Sequence, residues 1–454
     1  MDTNGNTNYK AVITIIDNLH NLDGLTNLVG TNIYGNQVLL GKETQVGDRG
    51  IYFPVESQLG EEFCLANDLI RRKDENGKAA GGMFDQNRRV RCQKFKGHQS
   101  VGFWIPVESL HYLTTDHGKY PNVGHEFDEF YGQMICQKYI PKYNKNNHTG
   151  LGVNKGRKPR ESKIVDGQFH FHFDTSQLAR NIHKVHPNDL ISLTWKFHGT
   201  SAIASYVLCK PKLSWLRKLL IKWWISDERP NVYDYLYASR RVIKNGFQEA
   251  KNEHYYDHNL WSELGKKHFE GKLHKGESVY YEIVGYTKTG SFIQGPFDYG
   301  CSIPDVYENG VAFDPSNSYY KILVYRITNT NVDGDIIELQ WNQVKSRCIE
   351  LGLETVPEIY YDKAMYLFPE LSITDHWHED FLTKLKEKYV YDQDCQFCKT
   401  VVPSEGIVLR KEGYNIECFK LKNVRFLEFE TKQLDKGEVD METLESVDED
   451  DQTV

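Results

Sequence analysis

Apolar and polar positions alternate in short runs over most of this chain, the period-two signature of half-buried β-strands. Ala11–Ile16, Val38–Leu40, Gly50–Val55 and Val101–Val107 are such runs, separated by Gly, Asn and Asp turn residues. A second set of strand-like runs covers Leu190–Leu193, Val232–Ile243, Tyr280–Tyr286, Ile322–Ile327, Glu405–Arg410 and Phe419–Lys422. Apolar residues recur at helical spacing over 213–225, 257–272, 341–353 and 376–390. Strands and helices in this order predict an α+β chain. A small β-barrel comes first, and antiparallel sheets flanked by helices follow.

Composition places the boundaries. Between 141 and 165 the chain shifts to Lys, Arg, Asn, Gly and Pro, which reads as a basic linker. From Glu438 to Val454 there are eight acids and no Lys or Arg, so the −8 net charge of the 454-residue chain belongs to this segment and the remainder is neutral. The expected organisation is therefore a barrel domain over 1–140, a linker over 141–165, a main domain over 166–435 and an acidic, unstructured tail over 436–454. In the barrel, Arg88, Arg89, Arg91, Lys94 and Lys96 interleave with Phe95 and precede Phe103 and Trp104. Cations for phosphates beside aromatics for bases suit a single-strand-binding barrel of the oligonucleotide-binding (OB) type, while a solvated face over core aromatics accounts for them equally well.

The chemistry is concentrated in charged residues set into apolar strands, where a charge is costly unless it is paired or bound to a ligand. Lys196 lies between Trp195 and Phe197, followed at once by the turn His198-Gly199-Thr200-Ser201. One amine is thus held beside a backbone bend that can approach a ligand closely. Glu282 sits inside Tyr280–Tyr286, Glu405 opens a strand, and Lys420 and Lys422 share one face of another because alternate residues point the same way. Two acidic and two basic places of this kind could hold a metal-bound nucleotide.

In this order the motifs resemble those of the covalent nucleotidyltransferases, the superfamily of ATP-dependent polynucleotide ligases and capping enzymes, and more narrowly of RNA ligases with an N-terminal OB-like domain. Lys196-x-His198-Gly199 is similar to the nucleophile motif, Glu282 to the third, Glu405-Gly406 to the fourth and Lys420-x-Lys422 to the fifth. Many ligases have Asp where this chain has His198, and K-x-H-G is found among phage-type and editing-type RNA ligases. The resemblance implies a nucleotidyltransferase domain in which Lys196 attacks ATP, Lys420 and Lys422 neutralise the α-phosphate, and Glu405 holds Mg²⁺ or Mn²⁺. It implies that Glu282 meets the ribose or shares the metal, Tyr325 stacks on adenine, and Arg240, with Arg241 the near alternative, contacts the nucleotide. His198 and Gly199 complete the nucleotide site. The partner implied is RNA with 5′-phosphate and 3′-hydroxyl ends, sealed through lysyl-AMP and RNA-adenylate in RNA repair. A capping guanylyltransferase or a DNA ligase would carry its barrel after the catalytic domain, and a silent RNA-binding protein would not need the lysine and both glutamates.

The basic amphipathic segment Leu213–Ile225 reads as packing onto the domain rather than as a membrane anchor. No signal pattern or long apolar run occurs, and nine scattered cysteines suit reduced thiols, so a cytoplasmic monomer is expected. His376-x-His378 and Cys395-x-x-Cys398 have zinc-ligand chemistry in an uncommon order and read as two unrelated pairs.

Overall fold

The computed structural model describes residues 7–73, 77, 79–141, 164–172, 175–211, 230–244, 256, 258–303 and 319–437. Residues 142–163 of the linker expected over 141–165, the segment Leu213–Ile225 and the acidic run from Glu438 lie outside the described residues.

Two sheets dominate the chain after residue 175. One has five strands in the order Ser176–Gln177, Glu417–Lys422, Gly406–Lys411, Leu190–Trp195 and Glu358–Lys363. The other runs Val232–Ser239, Thr200–Cys209, Glu277–Gly285, Tyr320–Thr330 and Ile336–Glu338, with Glu354–Thr355 added alongside Tyr320–Thr330. Pairing is antiparallel except where Ser176–Gln177 and Glu354–Thr355 join. Glu277–Gly285 is buried at every position, as expected of a central strand covered on both faces.

Helices cover these sheets. Leu260–Phe269 begins at Asn259, whose side chain accepts from Ser262 N, and buries Leu260, Trp261, Leu264 and Phe269 against the six-stranded sheet. Trp341–Leu351 packs into the same core and ends at Gly352 in the left-handed conformation. Trp377–Tyr389 covers the five-stranded sheet, stacking Trp377 on Phe381 over Leu193 and Leu409. All three coincide with stretches of helical spacing, because an apolar stripe that must meet a sheet is written directly in the residue order.

The N-terminal region is β-rich but differs from the expected closed barrel. A four-stranded sheet runs Phe103–Pro106, Arg49–Phe53, Ala11–Ile15, Glu126–Phe127, and a separate three-stranded sheet joins His20–Asn21, Leu28–Ile33 and Asn36–Gly41. Among the described residues no sheet closes on itself. Closure needs pairing carried right around the strands, and runs of only two to six residues broken by turns do not sustain it.

Several cations of the basic–aromatic stretch are paired within the chain, and Phe103 and Trp104 are packed into it. Arg89 is buried and bonds Asp435 and the Thr431 carbonyl, Arg91 pairs with Asp85 at 3.1 Å, and Lys94 pairs with Glu428 at 3.2 Å. Phe103 packs on Phe53 and Phe84, and Trp104 is buried with Nε1 donating to Thr14. Arg89, Arg91 and Lys94 join the N-terminal region to the helix Val424–Asp435, and Phe103 and Trp104 pack in core clusters.

Candidate active site

The chain passes from one sheet to the other through Lys196–Gly199. Leu190–Trp195 pairs with Gly406–Lys411 so that Trp195 faces Ile407, and Lys196 N then donates to the Gly406 carbonyl at 2.9 Å. Lys196 therefore arrives opposite the residue that follows Glu405, and its Nζ stands 2.5 Å from Glu405 Oε1. The next strand pairs Gly406 with Lys422 and Val408 with Lys420, setting both lysines on one face beside Glu405. Two registers thus bring three distant motifs together. Gly406 sits at φ 129°, where a Cβ would meet the Leu421 carbonyl at 2.1 Å, so only glycine fits there.

On the six-stranded side, Ser201 faces Glu282 across the ladder. Glu282 Oε1 accepts from Gly199 N at 3.0 Å and Oε2 from Ser201 Oγ at 3.2 Å. The carboxylate expected at the ribose or metal therefore grips the turn after Lys196 in this structure. Gly199 packs so tightly on that strand that an added Cβ would lie 2.4 Å from the Ile283 carbonyl. Tyr325 occupies the register shift opposite Tyr280 and Tyr281, a bulge, and such irregularities re-aim a side chain. Its ring lies 5.6 Å from that of His172. Below the nucleophile, Tyr299 stacks on Phe197 at 4.8 Å and its hydroxyl accepts from His198 N at 2.8 Å. His198 Nε2 lies 2.9 Å from Gln294 Nε2.

A cavity of about 220 Å³ is lined by Lys196, His198, Gly199, Arg240, Glu282, Tyr325, Glu405, Lys420 and Lys422 together. Every residue expected at the nucleotide site reaches it, and of the two arginines it is Arg240 that does so. Sequence reasoning missed the N-terminal wall of Tyr9, Glu56, Lys138 and Tyr139, and it missed Arg326, Glu338, Arg410 and Glu430. Nothing local in the sequence marks these; Arg410 stands five positions after Glu405, an odd spacing that strand parity alone would put on the opposite face.

The charges are strongly coupled. Burial acts to lower the Lys196 pKa, but Glu405 and Glu282 outweigh burial and Lys422, so the net direction is upward and the resting amine is an ammonium. Burial likewise works against charged Lys422, yet Glu430, Glu56 and Glu405 hold its pKa well above the usual range. Both Glu430 oxygens lie 2.8 Å from Lys422 Nζ. Burial nevertheless raises the Glu430 carboxyl to about 8, against the pull of Lys422, while Lys422 and Lys420 overcome burial to lower Glu56.

The donors fit a divalent cation. Glu405 Oε2 is buried and has no hydrogen-bond partner, although the other oxygen of the same carboxylate holds Lys196. An oxygen left bare beside a nucleotide-sized cavity is what a hard cation requires.

Two sheets joined at Lys196, with Glu282 on one and Glu405, Lys420 and Lys422 at the other around the cavity, make up a fold of the nucleotidyltransferase type seen in RNA ligases. Solved structures of a Naegleria gruberi RNA ligase share it. The form with PPi aligns at TM-score 0.56 and 15% identity, covering 93% of this chain and 98% of that one. A mutant with AMP and Mn aligns at TM-score 0.55 and 15% identity, over 92% and 98%. Another mutant, with ATP and Mn, aligns at TM-score 0.53 and 15% identity, again over 92% and 98%. No protein-family model and no curated protein matches the sequence.

Proposed function

We propose that this chain is an ATP-dependent RNA ligase that joins a 3′-hydroxyl to a 5′-phosphate, with RNA repair as its setting. The observation that carries this reading is the single cavity in which Lys196, Glu405, Glu282, Tyr325, Lys420 and Lys422 meet. Neutral Lys196 would attack the α-phosphorus of ATP, forming the phosphoramidate and releasing pyrophosphate. The AMP would pass to the RNA 5′-phosphate, and the 3′-hydroxyl would then displace AMP.

Phosphoryl transfer of this kind relies on alignment and on neutralising the equatorial oxygens. Lys420 and Lys422 would supply that neutralisation, Lys422 exchanging its contact with Glu430 for phosphate. Tyr325 would stack on the base, Arg240 would contact the nucleotide, and Glu282 would hold the turn that aims Lys196. Glu405 would hold Mg²⁺ or Mn²⁺, which when bound withdraws carboxylate charge from Lys196 and neutralises phosphate. Loss of that carboxylate pull leaves burial and Lys422 to favour the neutral amine. Residues 1–140 would act as an N-terminal module walling the phosphate end through Glu56, Lys138 and Tyr139.

The test is incubation with α-labelled ATP or GTP and Mn²⁺ or Mg²⁺, followed by denaturing gels and nick-sealing assays. Labelling from ATP that disappears in Lys196→Ala, with sealing of 5′-phosphate RNA, is the expected result. Labelling from GTP instead would indicate a capping-type enzyme. No label from either would leave a binding protein on a ligase scaffold.

A further inference from the structure

Cys395 and Cys398 lie in the segment between the helix Trp377–Tyr389 and the strand that starts at Gly406. Cys398 N donates to the Cys395 carbonyl at 3.4 Å, closing a turn, and the Cys398 thiol hydrogen-bonds Cys395 sulfur. A turn of this kind brings its first and last Cα atoms within the separation a disulfide spans. Both cysteines are free and partly exposed. No His, Asp or Glu joins them in a three-ligand group among the described residues, and His376 and His378 instead lie by Glu379 and His186. Two sulfurs alone do not make a structural zinc site.

Their position gives the pair a consequence. Phe397, inside the C-x-x-C turn, has its ring 5.0 Å from Phe197 and 6.1 Å from Trp195, the two residues that flank Lys196. The turn is also tied to the loop below the nucleophile, since Lys399 N donates to the Asp298 carbonyl at 2.7 Å and Thr400 Oγ1 to the Pro296 carbonyl at 2.9 Å. That loop carries Tyr299, whose hydroxyl accepts from His198 N. Any change in the turn reaches the nucleophile through packed rings from two sides.

We propose that Cys395 and Cys398 are a reversible dithiol–disulfide modification site, and that closing the disulfide moves Phe397 and slows adenylation of Lys196. The adenylation part rests on the ligase reading above; the modification does not. The Cys398–Cys395 hydrogen bond lowers the Cys395 thiol pKa to about 7 against burial and pushes the Cys398 thiol up, so Cys395 supplies the attacking thiolate and Cys398 keeps its proton until Cys395 is in the mixed disulfide. With a low-molecular-weight disulfide such as glutathione disulfide, the Cys395 thiolate attacks one sulfur and releases one glutathione thiolate. Cys398, on losing its proton, attacks Cys395 sulfur in the mixed disulfide and releases the second. Two protein thiols are oxidised, one glutathione disulfide is reduced to two thiols, and the two protein protons pass to them.

The full chain is equilibrated in glutathione buffers of increasing oxidation. Three quantities are read: the mass of the alkylated peptide spanning 395–398, Trp195-sensitive fluorescence, and single-turnover labelling by α-labelled ATP. A disulfide between these two residues, a fluorescence change and a roughly tenfold slower labelling that dithiothreitol reverses are expected, since small displacements near a nucleophile cost at least that much. A Cys395→Ser/Cys398→Ser variant should label at the reduced wild-type rate and ignore the oxidant. The proposal is overturned if no 395–398 disulfide forms, if it forms without slowing labelling, or if the double variant is slowed equally. If reduced protein never labels, the ligase reading fails, while mass and fluorescence still decide whether the disulfide forms and moves Phe397.

Discussion

Lys196 Nζ lies 2.5 Å from Glu405 Oε1, and the other oxygen of that carboxylate is buried without a partner. One carboxylate thus holds the Lys196 amine through one oxygen and leaves the other bare, so the charge state of Lys196 depends on that of Glu405. Glu405→Gln should reduce labelling by ATP about a hundredfold or more, the scale on which a single charge-stabilising group acts, with no loss of folding by circular dichroism.

The same pair sets a pH dependence. Because the carboxylates outweigh burial and raise the Lys196 pKa, the resting amine is protonated at neutral pH. Its neutral fraction grows as pH rises, and metal on Glu405, by weakening the carboxylate pull, would move that rise to lower pH. Single-turnover labelling under saturating ATP should therefore accelerate from about pH 6 to about pH 9, and do so earlier at higher metal concentration. A flat profile over that range would show that amine deprotonation does not control the step.

Gly199 has no room for a methyl group. Its Cβ would meet the Ile283 carbonyl at 2.4 Å and Val284 Cγ1 at 2.7 Å. Gly199→Ala should push the turn off Glu282, lower stability by about 1–3 kcal/mol and remove most ATP labelling. Thermal unfolding together with labelling separates the two effects.

Arg89 tests whether the basic stretch serves docking or RNA. It is buried and bonds Asp435 and the Thr431 carbonyl on the last described helix. Arg89→Ala should destabilise by about 2–3 kcal/mol, less than a fully buried pair because Asp435 is partly exposed. RNA affinity of the folded variant, and its salt dependence, should be unchanged in filter binding; a shallower salt slope would return Arg89 to the RNA surface.

Lys386 is buried on the helix Trp377–Tyr389, and its Nζ donates to the carbonyls of Tyr34 at 3.2 Å and Gly35 at 2.6 Å and to Asn36 Oδ1 at 2.9 Å. Burial lowers its pKa from 10.5 to about 7. Between these values the unfolded chain binds more protons than the folded one, so this group makes folding more favourable as pH rises through the window. Below about 7 the burial cost is fully present. Subtracting the urea stability of Lys386→Met from that of wild type should give a difference that rises from about pH 7 to about pH 10.

The residue order alone determined the catalytic half to a large degree. Trp195–Ser201, Glu282, Glu405–Arg410 and Lys420–Lys422 were legible because strand parity and turn chemistry are local, and the three helices because their apolar stripes have a fixed period. Only the tertiary structure decided which partners those residues meet. Glu282 grips the nucleophile turn, Glu430 holds Lys422, and Glu56 and Lys138 reach the cavity from the N-terminal region. It also set Arg89 and Arg91 against Asp435 and exposed Lys94 against Glu428 on the helix Val424–Asp435, and left the N-terminal strands in separate sheets. The physical reason is that parity says which way a side chain points, whereas its partner depends on how whole elements pack against one another, whether eight residues apart as for Lys422 and Glu430 or 346 as for Arg89 and Asp435, which no local pattern records.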